Sequence, residues 1–149
     1  MNEEETWAEL TAAHTGIFTS LKKDGWPVSL PVWFVVRNRS IYVGTPQGSK
    51  KVARVRNDSR VTFLVERGEK WAELAAVHVS ARATLVDDPD EAAEVQALMS
   101  EKYGASRTSR REMPDATKAH YGNQRALIRL DPQGRVLTWD NARIRLNAP

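Results

Sequence analysis

The chain contains no cysteine, which removes disulfides, a thiolate nucleophile and any cysteine-held zinc or iron–sulfur cluster from its repertoire. Its chemistry must use oxygen and nitrogen groups or a borrowed cofactor, and a reducing cytoplasm is the expected compartment. Long apolar runs are also missing. The longest, Leu30 to Val36, is interrupted by Pro31 and falls far short of the roughly 18 residues a spanning helix needs, so no membrane association is expected. The three histidines, His14, His78 and His120, lie too far apart for a metal-ligand spacing, and no Gly-x-Ser-x-Gly nucleophile elbow is present. The opening Met1-Asn2-Glu3-Glu4-Glu5 is acidic where an export signal is basic, which argues against secretion. With 149 residues and neither repeat nor linker, a single domain over 1–149 is expected, large enough to bury its own core.

Excess charge of one sign is lacking too, since the net charge is only +3. The distribution is uneven, however. Glu3, Glu4, Glu5 and Glu9 make the start acidic, and Asp87, Asp88, Asp90, Glu91 and Glu94 follow one another without an intervening base. Those carboxylates read as helix caps, which the helix dipole favours. Between the acidic stretches, Lys50, Lys51, Arg54, Arg56 and Arg60 are opposed only by Asp58, which marks a local anion site.

Periodicity predicts a mainly β chain. A helix from Glu4 to His14 ends at Gly16 as C-cap. A strand over Gly16 to Leu21 is followed by an Asp24-Gly25 hairpin turn and one strand from Val28 to Val36, with Pro31 requiring an edge or a bulge. Ile41 to Thr45, Arg60 to Glu66, Ala75 to Val86, Arg125 to Leu130 and Arg135 to Asp140 complete about seven strands, the last two joined by an Asp131-Pro132-Gln133-Gly134 turn. Two further helices are expected. One is a short basic helix N-capped by Ser49. The other runs to about Tyr103 behind a capping box at Asp88 to Glu91, followed by a polar loop from Gly104 to Asn123. A small barrel with flanking helices fits this inventory.

The most informative stretch is Gly44-Thr45-Pro46-Gln47-Gly48-Ser49-Lys50-Lys51-Val52-Ala53-Arg54-Val55-Arg56, in which a strand leads through a turn into the basic helix. It is not a nucleoside-triphosphate P-loop, because three residues rather than four separate its glycines and Ser49 precedes Lys50. A solvated basic face and an anion site both suit the pattern; placement directly after a strand favours the site. The helix start leaves N–H groups unsatisfied, and Lys50, Lys51 and Arg54 lie three or four apart. Each charge-assisted hydrogen bond contributes on the order of 1.5–3 kcal/mol, so two or three could retain a cofactor.

Tyr42 through Lys51, with its Thr-x-x-Gly-Ser-Lys-Lys, resembles the phosphate-binding strand–turn–helix of the flavin-binding split-barrel family, which includes pyridoxamine phosphate oxidase and the flavin/deazaflavin oxidoreductases of actinobacteria. Arg56-Asn57-Asp58-Ser59-Arg60-Val61 and the terminal Arg135-Val136-Leu137-Thr138-Trp139-Asp140 are similar to the same family. The resemblance implies a homodimeric FMN-binding-type split barrel with the cofactor at the subunit interface. Ser49, Lys50 and Lys51 match the phosphate-binding positions, Thr45 ends the adjoining strand, and Arg54 and Arg56 are further candidates. Ser29, Pro31 and Trp33 occupy the strand implied to line the cofactor ring. The reactive centre then belongs to the cofactor, and no side chain is assigned as catalytic. The number of cations favours the deazaflavin F420, with its carboxylate-bearing tail, over FMN. The expected activity is hydride transfer from reduced F420 to an unsaturated small organic substrate. An FMN enzyme, a noncatalytic cofactor carrier and a single-stranded nucleic-acid-binding barrel are the alternatives, the last disfavoured because the cations gather at one turn. His120 and Tyr121 are possible proton donors, and Arg107, Arg110 and Arg111 could close over an acidic tail. Trp26, Trp33 and Trp71 are candidates for the pocket or dimer interface, whereas Trp7 and Trp139 are expected to pack.

Overall fold

The computed structural model of the chain describes residues 1–106 and 125–144. Helix α1 (Glu3–Ala12) precedes β1 (Gly16–Leu21), β2 (Pro27–Val32), β3 (Phe34–Arg37) and β4 (Ser40–Pro46). Then come α2 (Lys50–Asn57), β5 (Arg60–Arg67), β6 (Ala75–Leu85), α3 (Pro89–Tyr103), β7 (Arg125–Pro132) and β8 (Leu137–Asp140), with 3₁₀ turns at Trp71–Glu73, Gly104–Ser106 and Asn141–Arg143. All strand pairs are antiparallel, in the order β2-β1-β5-β6-β7-β4-β3, with β8 also on β6.

The expected strand from Val28 to Val36 is in fact two. β2 pairs β1 as far as Val32↔Gly16, β3 pairs β4 from Phe34↔Val43 onward, and the chain changes neighbour at Trp33. Because β2 and β3 are the two ends of the sheet order yet adjacent in sequence, the sheet curls until its edges meet. Pro31 is tolerated because β2 is an edge strand. At the change of partner the Phe34 N–H donates to the Tyr103 hydroxyl at 2.9 Å, and the Phe34 carbonyl accepts from Lys102 Nζ at 2.9 Å. Side chains at the end of α3 thus satisfy the backbone where the ladder switches.

Alternation fills the curled sheet. Phe18, Phe34, Ile41, Val43, Phe63, Val77, Val79, Ile128 and Leu130 point inward and are buried, with Leu10 of α1 joining them. Each such side chain is worth roughly 1.5–3 kcal/mol of burial. Tyr42 is buried on the opposite face of β4, where it packs with Val35, Val95, Met99, Tyr103 and Leu127 beneath α3. Glu91 does not close a capping box on Asp88, although Asp88 does cap α3 through the Asp90 N–H. Its carboxylate instead accepts the Tyr42 hydroxyl at 2.6 Å and Arg129 Nη1 at 3.0 Å, and Glu94 takes Arg37 at 2.6 Å. The Tyr42 hydroxyl and then Arg129 hold the Glu91 carboxyl below its ordinary range. These acids therefore fasten α3 to the sheet rather than only capping it.

Three further expectations are corrected. The C-cap of α1 is Ala13, and Gly16 is a buried residue of β1. The expected Asp131–Gly134 turn begins later, because β7 runs through Pro132; β7 and β8 then pair successive parts of β6 rather than each other. Trp139 does not pack but stands 56 % exposed, while Trp7 does lie against the core. No helix among the described residues is long and apolar enough to cross a membrane.

Candidate cofactor site

Where the chain passes from β2, which pairs β1, to β3, which pairs β4, the curled sheet has a seam. β2 pairs only β1, and Gly44–Pro46 of β4 pair only β7, so one backbone edge of each strand has no ladder partner among the described residues. β4 then enters the turn that opens α2. The Ser49 N–H donates to the Pro46 carbonyl at 3.0 Å. The Ser49 hydroxyl accepts the Val52 N–H at 3.4 Å and the Thr45 hydroxyl at 3.0 Å. Ser49 is thus the N-cap, and Thr45, which is buried, holds it in place from behind. The N–H groups of Lys50 and Lys51 are those that a helix start leaves for an outside acceptor.

Val52 and Val55 bury one side of α2. The basic residues do not all face alike. Lys50 and Arg56 are exposed, and Lys51 is partly buried. Arg54 Nε donates at 2.7 Å to the buried hydroxyl of Ser20 in β1, so Arg54 pins α2 to the sheet instead of offering a free charge. Arg125 approaches the same turn from β7. It lies opposite Pro46 in the β4–β7 ladder, and a Cβ on Gly44 would sit 3.6 Å from its guanidinium. Burial, and then the charges of Arg54 and Arg125, push the Lys51 amine below its ordinary value. Such mutual repulsion suits an anion, because a bound phosphate or carboxylate relieves it. Arg56 and Arg125 also border a groove of about 300 Å³ between α2 and α3, together with Gln47 and Gln96. A larger cleft of about 380 Å³ at the end of α1 contains none of the candidates, and its Arg67 is paired with Glu9 at 2.6 Å.

The β2 candidates lie at the other side of the seam. Ser29 is exposed and its hydroxyl meets that of Thr19 at 2.8 Å; Pro31 is exposed beside it. Trp33 is stacked on Tyr103 with ring centres 4.4 Å apart, and His14 stands edge-on to both rings. The structure thus places Ser49, Lys50 and Lys51 at the start of α2, backs Ser49 with Thr45, turns Arg54 to Ser20, and leaves Arg56 in the last turn of the helix, where it lines the groove beside α3. Trp26 and Trp71 are largely exposed, at 70 % and 55 %. His120, Tyr121, Arg107, Arg110 and Arg111 lie outside the described residues. Among the described residues, no three His, Asp or Glu side chains come together as a metal site.

Sequence reasoning missed Arg125 and Lys102. Arg125 reaches the turn only through strand pairing, which no local spacing reveals. Lys102 looks like an ordinary cation at the end of α3, yet its Nζ sits 3.8 Å from the centre of the Phe34 ring, and desolvation pulls its amine down from 10.5 to about 8. The unfolded chain keeps that proton up to about 10.5 whereas the folded chain releases it near 8, so stability rises with pH across that window. Lys102→Met is accordingly expected to flatten that pH dependence, its stability relative to wild type being greatest below pH 8. The difference from wild type should shrink as pH approaches 10.5, as read from melting temperatures of both proteins at pH 7 and pH 10.

A sequence profile described as pyridoxamine 5'-phosphate oxidase matches residues 3–140. The chain belongs to that family. The curled antiparallel sheet with its seam is the pyridoxamine 5'-phosphate oxidase split-barrel fold, and solved structures agree with it. A conserved hypothetical protein of Mycobacterium tuberculosis is 26 % identical with a TM-score of 0.78, the match covering 95 % of this chain and 86 % of that one. An FAD-binding protein of Mesorhizobium loti is 19 % identical with a TM-score of 0.70, over 93 % and 94 %. The FAD-binding protein of Mycobacterium smegmatis is 21 % identical with a TM-score of 0.66, over 93 % of each chain. No curated protein matches.

Proposed function

We propose that this member of the pyridoxamine 5'-phosphate oxidase family is a cytoplasmic, homodimeric oxidoreductase that uses reduced F420 to deliver a hydride to an unsaturated small organic substrate. The observation that carries the reading is the convergence of Lys51 and Arg125 beside the first turn of α2, next to Lys50, with Arg56 in the last turn lining the adjoining groove. Arg54 is held by Ser20, while Arg125 brings a further positive charge near Gly44. One phosphate does not need so many cations; a phosphate followed by carboxylates does. FMN or FAD is the second reading, favoured by the two relatives described as FAD-binding.

The cofactor supplies the hydride. The chain's own part is to bind and orient it. Lys50, Lys51 and the α2 N–H groups hold the phosphate, Arg56 and Arg125 attract the acidic tail, and Ser29, Pro31 and Trp33 along β2 offer a wall to the ring. Water is excluded by the second subunit.

Titration of the purified chain with F420, FMN, FAD and a labelled oligonucleotide tests this, with tryptophan fluorescence and cofactor absorbance as readouts. F420 is expected to bind tightest, and the reduced form to be consumed when an activated enone is added. Tight FMN or FAD binding without F420 binding selects the second reading. F420 binding without turnover of any acceptor identifies a carrier. Tight oligonucleotide binding with no response to any cofactor overturns the proposal.

A further inference from the structure

Lys102 has surroundings that no other described lysine shares. It lies in the last turn of α3, where Nζ stands 3.8 Å from the centre of the buried Phe34 ring and 5.1 Å from that of Tyr103. Nζ donates to the Phe34 carbonyl at 2.9 Å, and the Tyr103 hydroxyl donates to the same oxygen at 2.8 Å. One of the three ammonium N–H groups is thus used, beside an acceptor already satisfied by another donor. No carboxylate pairs with the amine among the described residues, and burial alone lowers it to about 8. Glu101, its neighbour in α3, is exposed, and Arg37 of the underlying β3 is taken by Glu94, about two turns earlier on the helix. The titratable groups of the surrounding ring cluster are His14 and Tyr103. Burial holds the Tyr103 hydroxyl above its ordinary value, so it stays neutral where Lys102 gives up its proton. Lys102 and Trp33 are only half-buried and His14 is exposed, so the cluster opens to solvent.

We infer that Lys102 is a nucleophilic amine that captures an uncharged conjugated aldehyde as an imine, beside the Trp33–Tyr103 stack where the chain passes from β2 to β3. A lysine desolvated among apolar groups is activated for attack on carbonyl carbon, and the aromatic rings suit a planar partner. No second lysine or arginine joins the ring contacts, so nothing there favours a phosphate or carboxylate on the ligand. In the step itself the Nζ lone pair adds to the carbonyl carbon. The carbonyl oxygen leaves as water with the two hydrogens of the neutral amine, and a C=N bond takes the place of C=O. Nothing is oxidised or reduced. A proton from solvent then restores the positive charge on nitrogen. The protonated imine keeps one N–H for the Phe34 carbonyl and its charge beside the Phe34 ring, so both contacts seen in the structure survive capture. Acylation of the same amine would leave a neutral amide and forfeit the cation–ring contact, which is why an aldehyde fits the site better than an acyl donor.

The test is labelling of the full chain at pH 7 with benzaldehyde and cyanoborohydride, which traps an imine by adding hydride to C=N, followed by peptide mapping. At neutral pH an amine titrating near 8 holds on the order of a hundred times more free base than an ordinary lysine. Lys102 is therefore expected to label at least roughly tenfold faster than Lys22 and Lys23, the rest being offset by its restricted access. Its rate should saturate with benzaldehyde and stay linear with propanal, which has no ring to stack. Lys51 is the control, since its amine is also lowered but has no ring contact among the described residues. The titration of Lys102, followed by NMR of lysine-labelled protein, should centre near pH 8. Trp33→Leu, verified as folded by melting, should abolish saturation; the comparison of the two aldehydes on wild type decides the matter should that variant not fold. Lys102 labelling no faster than Lys22, Lys51 labelling as fast as Lys102, or the same concentration dependence for both aldehydes overturns the inference. The labelling needs no bound cofactor, so its failure and that of the F420 reading are told apart.

Discussion

Lys51→Ala is expected to weaken F420 binding at least tenfold while leaving the fold intact. A charge-assisted hydrogen bond contributes roughly 1.5–3 kcal/mol, and about 1.4 kcal/mol is a factor of ten in affinity, so one lost contact suffices. The fold should not suffer. Lys51 makes no hydrogen bond or ion pair among the described residues, and burial with the charges of Arg54 and Arg125 already disfavours its ammonium. Removing it relieves that repulsion, so the protein without cofactor should melt at the same temperature or slightly higher. Arg54→Ala should behave in the opposite way, since it leaves the buried Ser20 hydroxyl without its 2.7 Å partner and frees α2 from β1. Fluorescence titration and melting curves of the two variants separate a binding cation from a structural one. Unchanged F420 affinity in Lys51→Ala would remove the proposed phosphate site.

The contrast between these two arginine and lysine positions shows where the sequence is legible. Ser49 as N-cap, the basic helix behind it and the strand before it follow from local chemistry: a hydroxyl at a helix start, alternation in Ile41–Thr45, and charges at helical spacing. The resemblance implies, beyond this, that such a turn holds a phosphate. What could not be read was set by partners distant in sequence. Arg54 turns to Ser20 because β1 passes beneath α2, and Arg125 arrives because β7 pairs β4. The break at Trp33 was hidden for the same reason: residues 28–36 have the uniform alternation of one strand, and only the two ladders on its flanks divide it. Glu91 has the spacing of a capping box, but Tyr42 and Arg129 offer it a stronger, partly desolvated interaction than the Asp88 N–H does.

Gly16 is the clearest case of a residue whose purpose is tertiary, and Gly16→Ala is expected to destabilise the protein by about 3 kcal/mol. Local chemistry gives it a helix C-cap role, for which a glycine after His14 is well suited. The structure gives it another: it is the first residue of β1, buried, opposite Val32 at the point where β2 ends. A Cβ built there overlaps the end of the Phe63 ring, with Cε1 at 2.7 Å and Cε2 at 2.9 Å. That ring cannot step aside easily, because Phe63 is fully buried and packs edge-on against Phe34 with ring centres 4.8 Å apart. Phe34 in turn stands where the chain passes from β2 to β3, its backbone held by Tyr103 and Lys102. One added methyl therefore presses on the joint that closes the barrel. In a chain of this length the cost corresponds to a fall in melting temperature of roughly 6–12 °C. The double variant Gly16→Ala/Phe63→Leu checks the cause, since the smaller side chain makes room for the methyl. Its stability should lie above the sum of the two single losses, and strict additivity would show that the strain does not run through Phe63.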